Sequence, residues 1–216
     1  MAAAALSSER SSGVITRKDL AEGKRHYFLD GVHLGPSVTT TIDGALGHAG
    51  VPKAIWDRAG ARGRAVHAAI YYLEGGEPGR TLDWDSVHPE IRPYLTGYEK
   101  FKFEHDVRFE LSERAVVSRK HRYGGTLDAV LLDGERVLAD WKSGIQLGRH
   151  GAQLAAYKNA LIEEGYPGAE KLRRKCVYLT AAGGYHVVEY SGEGDFYDFL
   201  ALQRIYATKE HHSGKY

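Results

Sequence analysis

Two short runs of apolar, β-favouring residues, 126–132 and 136–141, are separated by little more than Asp133 and Gly134, and each carries a carboxylate among apolar neighbours. Such runs around an Asp-Gly pair read as two antiparallel strands of a hairpin. Side chains alternate along a strand, so Asp140 and Lys142 share one face and Trp141 takes the other. Asp128 joins them only in one parity of register. A two-residue turn at Asp133-Gly134 pairs position 128 with 139 and puts Asp128 and Asp140 on opposite faces. A three-residue loop over 132–134 restores the common face and places Gly134 where a left-handed residue is expected. The sequence therefore predicts an odd register or a bulge here.

The rest of the chain supplies partners for this hairpin. Residues 25–34 read as an earlier hairpin around Asp30-Gly31, followed by Pro36-Ser37-Val38-Thr39. A short helix is expected over 52–58, and a second over 62–73, closed by Gly75-Gly76. A third is expected over 89–104 with Pro89 in its first turn. Residues 107–117 read as a strand. An amphipathic helix is expected over 150–164, stopped by Gly165 and Pro167. A hairpin over 175–190 turns at Gly183-Gly184, and a helix closes the chain over 195–208. This order suggests an α/β fold with a mixed central β-sheet flanked by α-helices. Residues 1–12 read as a disordered tail and 13–216 as a single domain.

Composition narrows the function. Hydrophobic residues make up 43% and charged residues 26%, as in ordinary globular proteins. No apolar run approaches membrane-spanning length, and the N-terminus lacks the pattern of a signal peptide; a cytoplasmic location is expected. Cys176 is the only cysteine, which excludes an internal disulfide and a cysteine-built zinc or iron–sulfur site. The net charge of +1 means that any surface for nucleic acid must be local. Three basic segments qualify: Arg58 to Arg64, Arg119 to Arg122, and Lys171 to Lys175. Taken singly, each reads as a solvated face or turn charge.

The chemistry concentrates around Gly124-Gly125, Asp128, Asp140-Trp141-Lys142 and Gln153. Clustered carboxylates suit a hard divalent cation, and a lysine beside them can offset developing negative charge on a phosphate. Gln153 and Tyr157 are four apart on one helix and share a face. Asp-x-Lys alone arises often by chance as a surface ion pair; its combination with the glycines and with Gln153 and Tyr157 is far more specific.

Together these elements resemble the PD-(D/E)XK nuclease superfamily, in particular its RecB-like branch. Gly63 four residues before His67 on a helix resembles the branch's first motif. The run from Tyr27 to Gly31, then Pro36 to Thr40, Trp56 and Gly63 to His67 is similar to phage-encoded exonucleases of the superfamily and to the mitochondrial genome maintenance exonuclease. The resemblance covers residues 25 to 190. It implies a restriction-endonuclease-like core and a metal-dependent DNA exonuclease serving phage or bacterial recombination, repair or processing. It implies Mg²⁺ or Mn²⁺ held by Asp128, Asp140, the Trp141 carbonyl and His67. Lys142 would position water and stabilise charge, and Gln153 and Tyr157 would lie beside the site. A strand glutamate is also implied: Glu113 matches better than Glu110, and the two, three apart, are expected to face opposite sides. Family members often carry an acid soon after the histidine; here the nearest is Glu74. Ser37 and Thr39 are candidates to hold a phosphate, and Arg64, Arg122 and Tyr157 to contact the nucleic acid. The implied partners are DNA, as single strands or duplex ends, and a recombination or single-strand-binding protein. The alternatives are a structure-selective endonuclease, a non-catalytic nucleic-acid-binding protein, and a metal-binding structural domain.

Overall fold

A computed structural model describes residues 13–20, 24–47, 50–76 and 78–213. The expected tail at 1–12 lies outside the described residues. The centre is a five-stranded sheet of β4 (Arg108–Ser118), β5 (Tyr123–Asp133), β6 (Glu135–Lys142), β7 (Arg173–Leu179) and β8 (Tyr185–Glu189), in that spatial order. All neighbours are antiparallel except β6 and β7, which are parallel. A parallel pair needs a crossover, and α4 (Arg149–Glu163) supplies it.

Both faces of this sheet are covered. On one side α4, α5 (Asp195–His212) and α1 (Val38–Leu46) pack through Leu154, Leu161, Phe199 and Ile42 onto Leu138, Val130 and Cys176. On the other, α2 (Lys53–Leu73) and α3 (Arg92–His105) pack through Val66, Ile70, Leu95 and Phe101 onto Ala139, Trp141 and Val177. The alternation of Leu138 with Ala139 and of Cys176 with Val177 is the period of a sheet buried on both sides. A second sheet, β1 (Ile15–Asp19), β2 (Arg25–Leu29) and β3 (Val32–Pro36), docks Tyr27, Leu29 and Leu34 against Val117. Tyr27 can lie there because Gly124 has no side chain; a Cβ at Gly124 would fall 2.4 Å from the Tyr27 ring. No described helix is long and apolar enough to cross a membrane.

Three expectations need correction. The helices expected over 52–58 and 62–73 are one helix, α2. Gly60 and Gly63 each cost about 1 kcal/mol relative to alanine, but neither removes a hydrogen bond as proline would. The helix expected from Pro89 begins instead at Arg92, with Pro93 in its first turn. A helix begun at Pro89 would carry Pro93 in its interior, where the ring clashes with the carbonyl four residues earlier. The closing helix runs past 208 to His212. Strand β1 went unread because Ile15–Asp19 is mostly polar and exposed, an edge strand without a buried period.

Candidate active site on the central sheet

The β5–β6 register has the parity the shared face requires. Asp133 pairs with Glu135 and Ala129 with Ala139, around Gly134 at φ +66°. The turn is thus odd, as the shared face demands, although centred one residue later than the loop expected over 132–134. Position 128 consequently falls opposite 140, where Asp140 meets Gln153 of α4 and Asp128 meets His67 of α2. Trp141, between Asp140 and Lys142, points into the opposite core.

Strand β4 adds the next carboxylate by a route the sequence did not reveal. Its register shifts between Phe109 and Leu111. Phe109 packs on the Trp141 side and Leu111 on the α4 side, so the bulge reverses which residues face which core. Ser112 pairs with Ala129 and Arg114 with Leu127, which sets Glu113 opposite Asp128. Glu113, Asp128 and Asp140 therefore stand in a row across three adjacent strands. Glu113 has φ +46°, a left-handed conformation that costs a non-glycine residue roughly 1–3 kcal/mol and gathers at functional sites. Glu110 is not simply turned to the other face. It is held at the far end of the sheet by Arg136 and by the Tyr166 hydroxyl, which donates at 2.9 Å.

The row is wired to its neighbours. Asp128 Oδ2 accepts from the Trp141 amide at 2.8 Å, and Oδ1 lies 3.2 Å from His67 Nδ1. His67 Nε2 is 2.8 Å from the Trp141 carbonyl. Both imidazole nitrogens thus face acceptors, an arrangement that favours the doubly protonated ring. Asp140, 1% exposed, accepts from Gln153 Nε2 at 2.8 Å through Oδ1, and its Oδ2 is 2.5 Å from Lys142 Nζ. Lys142 Nζ also donates to Gln153 Oε1 at 3.0 Å. Gln153 therefore bridges acid and lysine with both ends of its amide. Tyr157, one turn on, lies 3.4 Å from Gln153 Nε2 through its hydroxyl. Its ring passes over β5 where Gly125 leaves room: a Cβ there would sit 2.3 Å from Tyr157 Cε1.

The charges follow from this crowding. Burial, reinforced by Asp128, pushes the Glu113 carboxyl up to about 7 and that of Asp140 to about 6. Burial alone would raise Asp128 as well, but His67, Lys142 and the Trp141 amide hold it below the usual carboxylate range. Burial disfavours the charged forms of His67 and Lys142. Even so, Asp128 lifts His67 to about 9, and Asp140 keeps Lys142 above its ordinary value. The positive charges of His67 and Lys142 offset the negative charges of the neighbouring carboxylates.

His67, Glu113 and Asp128 bring donor atoms within 4.8 Å of one another, one imidazole nitrogen and two carboxylate oxygens. That donor set fits Mn²⁺ or Mg²⁺. Of the four ligands expected from the sequence, His67 and Asp128 belong to this group. The Trp141 carbonyl is engaged by His67, and Asp140 by Lys142 and Gln153. Glu113 takes the third place.

Other candidates lie outside the group. Ser37 caps α1, its Oγ accepting from the Thr40 amide at 3.0 Å and lying 3.1 Å from Thr39 Oγ1; at 2% exposure it has little room for a phosphate. Tyr157 is 4% exposed and packs beside Gln153. Arg64 is exposed on α2, and Arg122 is exposed while donating to the His33 carbonyl at 2.8 Å. Glu74 accepts from Tyr98 and Lys102 and takes no part in the site. In the third basic segment Arg173, Arg174 and Lys175 are spent in ion pairs with Glu189, Asp195 and Asp133. Sequence reasoning missed Arg25, whose charge acts on Glu113; Arg62, in the first basic segment, donates to the Ser143 carbonyl at 3.0 Å. Arg25 stands in no motif. Comparison with family models and with curated proteins gives no match to this chain.

The proton inventory yields a test. His67 binds its proton more tightly folded, at about 9, than at its ordinary 6.5, and Glu113 does the same at about 7. A raised value contributes stability below the unfolded value and loses it as pH rises through the folded one. His26 and His150, both lowered by burial, act below pH 6.5, and the depressed Asp128 acts below its ordinary 3.8. Melting temperature in EDTA is therefore expected to fall between pH 6.5 and 9, with a shallower fall in His67→Gln. A flat or rising profile in the parent protein would refute this charge assignment.

Proposed function

We propose that this chain is a metal-dependent phosphodiester hydrolase with a restriction-endonuclease-like core, acting as an exonuclease on DNA. The observation that carries the reading is the row Glu113, Asp128 and Asp140, with Lys142 on the same face and Gln153 bridging Asp140 to Lys142. A fold has no structural need for so many buried ionisable groups in one place, since each is costly to bury.

His67, Glu113 and Asp128 would hold the divalent ion. When bound, that ion supplies Lewis-acid stabilisation of the phosphate and acidifies water. The ligating nitrogen of His67 must give up its proton, so uptake of the ion releases protons. Lys142, kept charged by Asp140, donates to a phosphate oxygen or holds the attacking water in line. In hydrolysis the water oxygen forms the new bond to phosphorus as the bond to the leaving sugar oxygen breaks. Gln153 fixes the ammonium, and Tyr157 fixes Gln153.

Digestion of matched linear and circular DNA, with Mn²⁺ or Mg²⁺ and with EDTA, tests the proposal. Linear DNA is expected to shorten from its ends, circles to survive, and EDTA to stop the reaction. Nicking or linearisation of circles would replace the exonuclease with an endonuclease. No cleavage with either ion would reject the hydrolase.

A further inference from the structure

The segment between β6 and α4 is fastened to helix α2 at both ends. At its start, Arg62 donates to the Ser143 carbonyl, and Ser143 Oγ lies at ordinary contact distance, 3.8 Å, from where a Cβ on Gly63 would stand. At its end, the Arg149 guanidinium sits over the Trp56 ring at 5.6 Å from the centroid. Between these anchors Gly144 and Gly148 frame Ile145, which is 77% exposed. Trp56, Gly60, Gly63 and His67 follow at helical spacing on one face of α2. Between the aromatic ring and the candidate metal donors this face carries no side chain of its own, and the Arg64 guanidinium lies beside Gly60. Eleven residues of helix span about 16 Å, the length of about five stacked nucleotides at ~3.4 Å each.

The other end of the stack leads back to the reaction site. Arg149 is one helical turn before Gln153, on the same face of α4. Arg149 also lies 3.6 Å from Asp43, which holds the guanidinium in place over Trp56. A half-buried tryptophan beside an arginine can stack bases without reading their edges, while the guanidinium answers the backbone charge.

Resting on the hydrolase reading, we infer that the Trp56–Arg149 stack is a base-stacking platform that holds single-stranded nucleic acid along α2, several nucleotides from the scissile phosphate. A duplex has its bases stacked internally and offers them to the platform only where its end is frayed.

Binding without catalysis tests this inference separately from hydrolysis. Fluorescence anisotropy of a labelled 20-nucleotide single strand is followed in EDTA, beside a blunt duplex of the same sequence. Trp56→Ala is expected to weaken single-strand binding about tenfold, the lower range for loss of one base–aromatic contact. Trp56→Phe restores most of the affinity, Trp84→Ala changes nothing, and the duplex is insensitive to Trp56→Ala. In the parent, tryptophan emission falls on adding the single strand; in Trp56→Phe, which keeps a ring and the helix packing, that fall is absent. Binding of the single strand unaffected by Trp56→Ala, equal losses for strand and duplex, undiminished quenching in Trp56→Phe, or no binding by the parent would each overturn the inference. Trp56-dependent binding without cleavage under any ion would leave the platform standing and reject the hydrolase alone.

Discussion

Replacing Lys142 by alanine is expected to lower the single-turnover rate of DNA hydrolysis by about 10²–10³-fold, the usual loss on removing one donor aimed at developing charge. Affinity for DNA measured in EDTA should change much less, because the ammonium is mostly buried and its partners are Asp140 and Gln153 rather than open solvent. The expected signature is therefore a fall in kcat larger than any rise in KM. Alanine also strips Asp140 of its charged partner inside the protein. Asp140 has an alternative to unfolding: its carboxyl, already raised to about 6 by burial and Asp128, can take up a proton. The variant should therefore regain stability on acidification toward pH 5, a direction opposite to loss of an exposed ion pair. Melting curves at pH 5 and 8 separate misfolding from lost chemistry. A folded variant that retains more than a tenth of the parent rate would remove Lys142 from the reaction.

Much of this site is legible in the sequence because it rests on local periodicity. Alternation places Asp140 and Lys142 together, helical spacing places Gln153 with Tyr157, and the need for a shared face predicts the parity of the turn at Gly134. The glycines are legible as motif but not as cause. That Gly124 admits Tyr27 and Gly125 admits Tyr157 depends on residues distant in sequence. The β4 bulge is the clearest failure. Nothing between Arg108 and Arg114 announces an inserted residue, so strict alternation assigns Glu110 and Glu113 to opposite faces. The bulge makes Phe109 and Leu111 neighbours of different cores and carries Glu113 to Asp128. Which donors group together is illegible for a related reason. Which of several nearby oxygens is free depends on hydrogen bonds from His67, Lys142 and Gln153, none of which has a sequence signature. Arg62 and Arg149 act through contacts with Ser143 and Trp56, across roughly 80 to 90 residues of chain.

Trp141→Ala is expected to cost about 3–5 kcal/mol, the range for deleting a large buried aromatic side chain. The indole is 1% exposed and points to the side of the sheet away from Asp140. Tyr98, Phe101 and Phe109 surround it at centroid distances of 5.2, 5.9 and 6.4 Å, the first two edge-on. Its backbone serves the site: the amide donates to Asp128 and the carbonyl faces His67. One residue therefore ties the aromatic core to the candidate metal donors. Emptying its pocket should loosen β6 where the donors need it rigid, so Mn²⁺ affinity should fall along with stability. In a domain of this size the loss corresponds to a drop of roughly 10 °C in melting temperature. Trp84→Ala, at a partly exposed position, is the control and should cost well under half as much. Calorimetry with and without Mn²⁺ separates the effects: the variant should gain less from the ion than the parent does. An equal gain in both would show that the donors keep their geometry without the indole, and that the sheet holds them by its backbone ladder alone.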